Sequence, residues 1–177
     1  MTSELSTAGL DAGAANGPRL LLAEHHREIE AACTALLART YADDPRELIA
    51  QYKLFERAIV EHLDSEEQLI LPAYSAEAPA EAQAILAEHG AIRHALNRIG
   101  IEVELHLVRA RSVHALVDLL RDHAEREDES MYPWAQVHLT VTAKSQLFDR
   151  IADSLRALLR FRTRGASVTT PVPRAPA

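Results

Sequence analysis

The sequence predicts an all-α protein, an up-down-up-down four-helix bundle with an additional C-terminal helix. Its 177 residues are long enough for one domain with its own core. Ala, Leu, Glu and Arg dominate the composition, and only 6 glycines and 5% aromatic residues favour helix over strand. Apolar residues also recur at three- and four-residue spacing, which is typical of amphipathic helices. The stretches with this spacing are 18–40, 45–71, 79–108, 112–136 and 141–164.

Proline positions set most of the predicted helix boundaries. Asp44 precedes Pro45, which is typical of an N-cap followed by proline in the first turn. Pro72 ends the second stretch, and Pro79 opens the third in the same way. The boundary between the third and fourth helices is the least distinct, and we place it near Ser112 because serine can cap a helix.

The two ends of the chain are predicted to be disordered tails. Residues 1–17 are small and polar, and residues 165–177 are rich in Pro, Thr and Ala, so neither can offset its ordering entropy. The bundle then occupies 18–137. The accessory helix at 141–164 either docks across the bundle or mediates dimerisation, so we expect a monomer or a homodimer.

Charge and composition argue against several classes of partner. A net charge of -7 does not provide the basic face that nucleic acid needs. No stretch approaches the ~20 apolar residues of a membrane span. The single cysteine, Cys33, has no internal partner, and the first residues do not resemble a signal peptide, so we expect a cytoplasmic protein.

An internal repeat carries the candidate chemistry. Residues 62–72, HLDSEEQLILP, match residues 123–133, HAEREDESMYP, with His, then Glu four on, an acid five on and Pro ten on. Residues 22–25, LAEH, recur as residues 86–89. The repeat therefore distributes its histidines over four consecutive predicted helices.

The spacing within the repeat is suited to metal binding. Positions i and i+4 share one face of a helix, so each His and Glu pair can point into the bundle. Inward His and Glu side chains from four helices build carboxylate-bridged di-iron and di-manganese sites. Because thiolates are absent from the set, iron or manganese is favoured over structural zinc. The predicted metal ligands are His25, His62, Glu66, His89, His123 and Glu127.

Some neighbours of these residues are alternative ligands. His26 points about 100° away from His25 around the helix, but the LAEH repeat favours His25. Glu67 and Asp128 lie five residues after their histidines and can replace the predicted glutamate bridges.

Other polar residues are assigned to positions beside the site, in the core or on the surface. Glu24 and Glu88 are either surface charges or carboxylates that orient an imidazole. Tyr132 either lines the site or, as we favour, packs in the core next to Trp134. Cys33 is expected to be a small buried apolar residue. Histidines outside the repeat are predicted to lie on the surface: His94, His106, His114 and His138.

From about residue 20 to residue 137, the ordered set resembles the hemerythrin family, specifically the His-His-Glu cation-binding hemerythrin-like domains of bacteria. In that family, His, His-x-x-x-Glu, His and His-x-x-x-Glu on four helices hold a non-haem di-iron centre. By resemblance, these roles fall on His25, His62 with Glu66, His89, and His123 with Glu127. The implied cofactor is a carboxylate- and oxo-bridged iron pair, with Mn or Zn as substitutes.

The sequence departs from the oxygen-carrying members at one position. Those members have two histidines four residues apart on the third helix, whereas Arg93 stands four residues after His89. For two six-coordinate irons the resemblance then leaves about two open coordination positions. His94 or a tyrosine could fill this gap.

Open coordination favours redox chemistry over reversible oxygen storage. We therefore expect a non-haem di-iron protein that binds or reduces peroxide, dioxygen or nitric oxide, in oxidative or nitrosative stress. Catalase- or peroxidase-like activity is an open alternative within that function. The other interpretation is an oxygen-, redox- or iron-sensing module, or an oxygen-binding module, without turnover.

Overall fold

The computed structural model describes residues 13–39 and 45–166, with side chains described for 22–36 and 46–159. Over these ranges it forms helices and no strand, which confirms the all-α fold class. The helices are α1 Gly13–Arg39, α2 Pro45–Leu69, α3 Leu71–Glu77, α4 Pro79–Glu104, α5 Ala110–Glu129, α6 Met131–His138 and α7 Val141–Ala166.

Four of these helices, α1, α2, α4 and α5, form the bundle. α1 packs on α2 and α5, and α4 packs on the same two helices, so the four make a closed ring. Contacts between α2 and α4 show that these two helices run in opposite directions. Glu67 at the end of α2 contacts His89 early in α4, while Tyr52 early in α2 donates a hydrogen bond to the carbonyl of Leu96. Neighbouring helices are therefore antiparallel, as predicted.

The core consists of two apolar clusters that follow one another along the bundle axis. On α1, Ile29 belongs to the first cluster and Leu22 to the second. On α4, Ile92 belongs to the first and Ile85 to the second. The buried histidines and glutamates of the repeat lie between the two clusters, so apolar side chains enclose them from both ends of the bundle.

The short helices α3 and α6 continue α2 and α5 after a break in each. Ile70, with φ -110° and ψ -56°, separates α2 from α3. Ser130, with φ -122° and ψ -72°, separates α5 from α6. Pro72 and Pro133 follow these breaks, and a proline has no N–H to donate to the preceding turn. The first break is slight, because Ile70 stays in the helical region and its N–H donates to the carbonyl of Glu66 at 2.9 Å, whereas Ser130 leaves that region.

The connection between α4 and α5 differs from the prediction. α4 ends at Glu104 rather than near residue 108. Ser112 does not cap α5, because its hydroxyl donates to a Glu102 carboxylate oxygen at 2.8 Å. The same carboxylate accepts the backbone N–H of Arg109 at 3.0 Å. A carboxylate from α4 thus closes this turn, and the predicted serine cap is wrong.

The accessory helix α7 docks on the outside of the ring, against α1 and α2. Leu147, Ile151 and Leu158 on its inner face are buried, and Leu155 is half-buried. The first of the two predicted roles for this helix, docking across the bundle, therefore describes the fold. Dimerisation stays a prediction.

The predicted tails lie mostly outside the described residues. Residues 13–17 are the exception at one end, because they form the first turns of α1, and residues 165–166 are the exception at the other, because they end α7. In the described part of the chain, no helix is both long enough and apolar enough to span a membrane.

Candidate metal centre

Two groups of His and Glu side chains meet in the polar layer between the apolar clusters. In each group, one ligand atom per residue lies within 4.8 Å of the others. The first group is His26, His62, Glu66 and Glu127, and the second is Glu66, His89, His123 and Glu127. Both carboxylates thus belong to both groups.

Glu66 on α2 faces one histidine of each group. Its Oε1 lies 3.4 Å from Nε2 of His62, and its Oε2 lies 3.5 Å from Nε2 of His89. The two oxygens of one carboxylate are therefore divided between the two groups.

Glu127 on α5 repeats this arrangement. Its Oε2 lies 3.4 Å from Nε2 of His26, and its Oε1 lies 3.2 Å from Nε2 of His123. Each carboxylate thus offers one oxygen to each group. Carboxylates that span two cations in helical bundles are arranged in this way.

His26, rather than His25, is the histidine of α1 that joins the cluster. The His26 Nε2 lies 2.8 Å from Nε2 of His62. The His25 Nε2 instead lies 2.8 Å from Oγ of Ser154 on α7, and this hydroxyl donates to the carbonyl of Ala58 at 3.1 Å. The choice of His25 thus does not match the geometry. Because the bundle covers one side of α1 and α7 covers another, both adjacent histidines can point into the interior.

The second group is a set of buried atoms without hydrogen-bond partners among the described residues. They are Glu66 Oε2, His89 Nε2, His123 Nε2 and Glu127 Oε1. Leaving one such atom unpaired in a protein interior costs about 1–3 kcal/mol, and native proteins rarely tolerate several together. A cation at their centre would satisfy all of these atoms at once, so the residues present fit a bound metal.

Tyr132 on α6 closes the side of the first group. Its Oη lies within hydrogen-bond reach of Glu66 Oε1, 2.7 Å from Glu127 Oε2 and 3.3 Å from His26 Nε2. A phenol has one proton, so it can donate to one of these acceptors at a time. The Tyr132 ring is buried in the second apolar cluster, against which Trp134 also packs, so the favoured core packing is confirmed, and the hydroxyl lines the site as the alternative had it. On an unbroken helix, a residue nine after His123 would point about 180° away from it, but the break at Ser130 redirects the chain.

The two histidines of the second group are each held from behind by a carboxylate. Glu67 Oε1 lies 2.9 Å from Nδ1 of His89 and accepts a hydrogen bond from Arg93 at 2.6 Å. Arg93 also donates to Asp64 at 2.7 Å. Glu67 thus supports an imidazole instead of replacing a bridge, and Arg93 supports Glu67.

The corresponding contact on α4 and α5 follows the same pattern. Glu88 Oε2 lies 3.2 Å from Nδ1 of His123, and Arg126 donates to the other Glu88 oxygen at 2.5 Å. By contrast, the buried Nδ1 atoms of His26 and His62 find no hydrogen-bond partner among the described residues. A carboxylate behind a ligating imidazole fixes its orientation and raises its basicity, so the two histidine pairs differ in their support.

Residues 18–135 match the family model of the hemerythrin HHE cation-binding domain. The chain belongs to the hemerythrin family. None of the curated proteins compared with this chain matches it, and neither does any solved structure. The family is one of cation-binding domains, and in this hemerythrin domain the His and Glu clusters are where a cation would bind.

Burial shifts the pKa values of the histidines and glutamates in the polar layer of this hemerythrin domain. Burial lowers the pKa of His26 to about 4 and, with the neighbouring His89 and other charges, lowers the pKa of His123 to about 2. Burial also raises the pKa of Glu66 to about 8 and that of Glu127 well above its usual value. The imidazoles are thus in the neutral form that binds metal, whereas the carboxyl groups retain protons that a cation would displace.

Other predicted residues lie outside the clusters of this hemerythrin domain. Glu24 pairs with Arg27 at the surface of α1 and contacts none of the cluster imidazoles among the described side chains. Cys33 is buried in the first apolar cluster, as expected. The histidines outside the repeat are exposed, as predicted: His94, His106, His114 and His138.

Proposed function

We propose that this hemerythrin domain holds two iron ions and uses them to bind or reduce peroxide, dioxygen or nitric oxide. The observation that carries the proposal is the division of both buried carboxylates between two pairs of histidines. Nitrogen and oxygen donors without a thiolate favour iron, with manganese or zinc as substitutes. In this proposal His26 and His62 hold one ion, His89 and His123 hold the other, and Glu66 and Glu127 bridge them.

The proposed ligand set leaves coordination positions open. Two imidazoles and two carboxylate oxygens would fill four of about six positions on each ion, and an oxo bridge would fill one more on each, so about two stay open over the pair. Arg93, at the place of the fifth histidine of the oxygen carriers, is directed to Glu67 and Asp64 instead. Open positions are what an exogenous oxidant needs, and they favour reactivity over oxygen storage. When bound, the iron pair would exchange electrons with that oxidant.

The residues around the pair supply the proton chemistry. The Tyr132 hydroxyl lies within hydrogen-bond reach of both bridging carboxylates. Burial, followed by the charges of these two carboxylates, raises its pKa well above the usual value, so it acts as a donor rather than a phenolate. A proton can therefore be held at Tyr132 Oη, next to His26, while the apolar clusters limit access of bulk water.

Metal content and peroxide consumption test the proposal together. The protein is loaded with ferrous iron under argon, its iron is counted, and hydrogen peroxide is added while the optical spectrum and the peroxide concentration are followed. We expect two irons per chain and catalytic loss of peroxide. His123→Ala should lose both properties, whereas His114→Ala, an exposed histidine of the same helix, should keep them. A wild-type protein that binds two irons and leaves peroxide untouched would refute the proposed turnover.

A sensing role without turnover is the second candidate, and one contact favours it. His25 hydrogen-bonds Ser154 on α7, and its ring stacks on the His62 ring with centroids 4.8 Å apart. A change at the metal could thus alter the docking of α7. Hydrogen exchange of α7 amides, compared between the reduced and oxidised iron protein, tests this role. Identical protection in both states would argue against sensing through α7.

A further inference from the structure

One groove on the surface reaches a side chain of the cluster. It lies between α1 and α5, has a volume of about 440 Å³, and includes His26 in its lining. The His26 side chain is 12% exposed, whereas the other five cluster side chains are at most 1% exposed. Solvent contact with the cluster is therefore concentrated at His26.

The chemistry of the groove fits a small uncharged molecule. Half of its lining residues are aliphatic, including Ala23 on α1 and Ala124 on α5. Glu30 and Arg121 at its rim form an ion pair with each other across the two helices. The other charged lining residues also have partners, because Arg27 pairs with Glu24 and Asp128 is not free. With these charges compensated, the groove offers little attraction to an ion and little hindrance to a neutral solute.

Two other grooves among the described residues, one larger and one of similar volume, do not reach the cluster. The groove between α2 and α7 has a volume of about 630 Å³, yet none of its described lining residues belongs to either His and Glu group. The groove beside Glu88 and Arg126 is lined mainly by acidic side chains and likewise contains no cluster residue among those described. Size alone therefore does not identify the route.

We propose that the groove between α1 and α5 is the route by which a small uncharged oxidant reaches the cluster, entering beside His26. This inference rests on the proposed metal pair. The Tyr132 hydroxyl, 3.3 Å from His26 Nε2, is then the hydrogen-bond donor closest to the arriving molecule. His89 and His123 are not among the residues that line this groove, and their imidazoles are the ones held by Glu67 and Glu88.

Nitric oxide is a suitable probe because it is small and uncharged and gives strong optical changes when it binds ferrous iron. Ala124→Phe should fill the groove, and Ala157→Phe, which adds the same ring to the groove between α2 and α7, is the matched control. The reduced, iron-loaded protein is mixed with nitric oxide in a stopped-flow instrument. We expect Ala124→Phe to slow the binding of nitric oxide by at least about tenfold, because the added ring raises the activation barrier for entry. Ala157→Phe should bind at the wild-type rate.

Iron content and the thermal midpoint are measured for every variant, so that a folding defect is recognised. If Ala124→Phe does not hold iron, Ala23→Phe on the opposite wall of the groove replaces it. Equal rates for the groove variant and Ala157→Phe, with two irons in each, would overturn the proposed route and leave the proposed function standing. A wild-type protein that holds no iron, or whose iron binds no nitric oxide, would overturn both.

Discussion

The carboxylate behind His89 offers the sharpest test of how the chain controls its metal. Glu67 Oε1 accepts from His89 Nδ1 at 2.9 Å and from Arg93 at 2.6 Å. Burial alone would raise the pKa of Glu67, but hydrogen bonds from Arg93 and His89 outweigh it and lower the pKa. The group is thus a carboxylate at neutral pH. Glu67→Gln keeps its shape and an acceptor oxygen but removes the negative charge.

The expected effect of Glu67→Gln is weaker binding of one ion. Removing a supporting carboxylate typically reduces metal affinity by about 10- to 100-fold, or about 1.4–2.7 kcal/mol. The side chain of Glu67 is 30% exposed, so solvent screens part of its charge. We therefore expect a loss near the lower limit, about tenfold, confined to the ion bound by His89 and His123.

Titration of the apo protein with cobalt(II) in the presence of a competing chelator measures both affinities, and the d–d spectrum reports the ligand field of each ion. Glu61→Gln is the matched control, because Glu61 lies on the same helix and accepts a hydrogen bond from Arg57 at 2.7 Å. A merely structural change in α2 would alter stability without changing the spectrum of one ion. Equal affinities and spectra for Glu67→Gln and Glu61→Gln would refute the supporting role.

Three further outcomes follow from buried groups of the apo protein. Tyr132→Phe removes a donor to buried carboxyls and should lower the free energy of unfolding in urea by about 1–3 kcal/mol, with a smaller loss after metal loading. Ser154→Ala leaves His25 Nε2 without its partner and should lower the free energy of unfolding by a similar ~1–3 kcal/mol. The control Ser145→Ala, on the exposed face of α7, should lower it little. Equal losses for the two variants would contradict a buried hydrogen bond between His25 and Ser154. Burial raises the pKa of Glu66 to about 8 from 4.5, so the folded apo state holds a proton that the unfolded state releases. The free energy of unfolding of the apo protein should therefore fall as pH rises from 6.5 to 8. Metal loading should abolish this slope, and a flat apo curve of urea midpoints would contradict the assignment.

The bundle and most of the cluster could be predicted because both depend on short-range spacing. Residues four apart on one helix share a face whatever the tertiary structure, so the pairs His62 with Glu66 and His123 with Glu127 were recognisable from the repeat. Their meeting needed only antiparallel neighbours, which short connections dictate. The structure brings these residues together with His89.

The choice between His25 and His26 depended on packing that the repeat does not encode. The repeat aligned His25 with His89, as if α1 and α4 had equivalent surroundings. Among the described residues α7 packs extensively on α1 and shows no comparable packing on α4, and its Ser154 provides a polar partner for His25. A second polar partner in the interior allowed both adjacent histidines to point inward, with His25 buried and His26 partly exposed. Only the position of the accessory helix could have revealed this.

The contact of Tyr132 with the site was the less favoured of its two predicted roles, for a different reason. Its counterpart in the repeat is Leu71, an apolar residue at the same distance before the proline, so comparison of the two copies gave no polar signal. The backbone break at Ser130 then turned it towards the carboxylates. Helical phase is reliable within one helix and is lost across a break of this kind.

The two copies of the repeat thus supply similar ligands to unlike surroundings. One pair of histidines is backed by Glu67 and Glu88 and is enclosed, while the other pair lies beside Tyr132 and the groove. Under the proposals made above, changes on the two sides should separate. Glu67→Gln should weaken the holding of one ion without slowing the entry of nitric oxide, and Ala124→Phe should slow entry without weakening either ion. If each variant changed metal affinity and the rate of nitric oxide entry equally, the two histidine pairs would act as one unit. Their different surroundings would then have no separate functional effects.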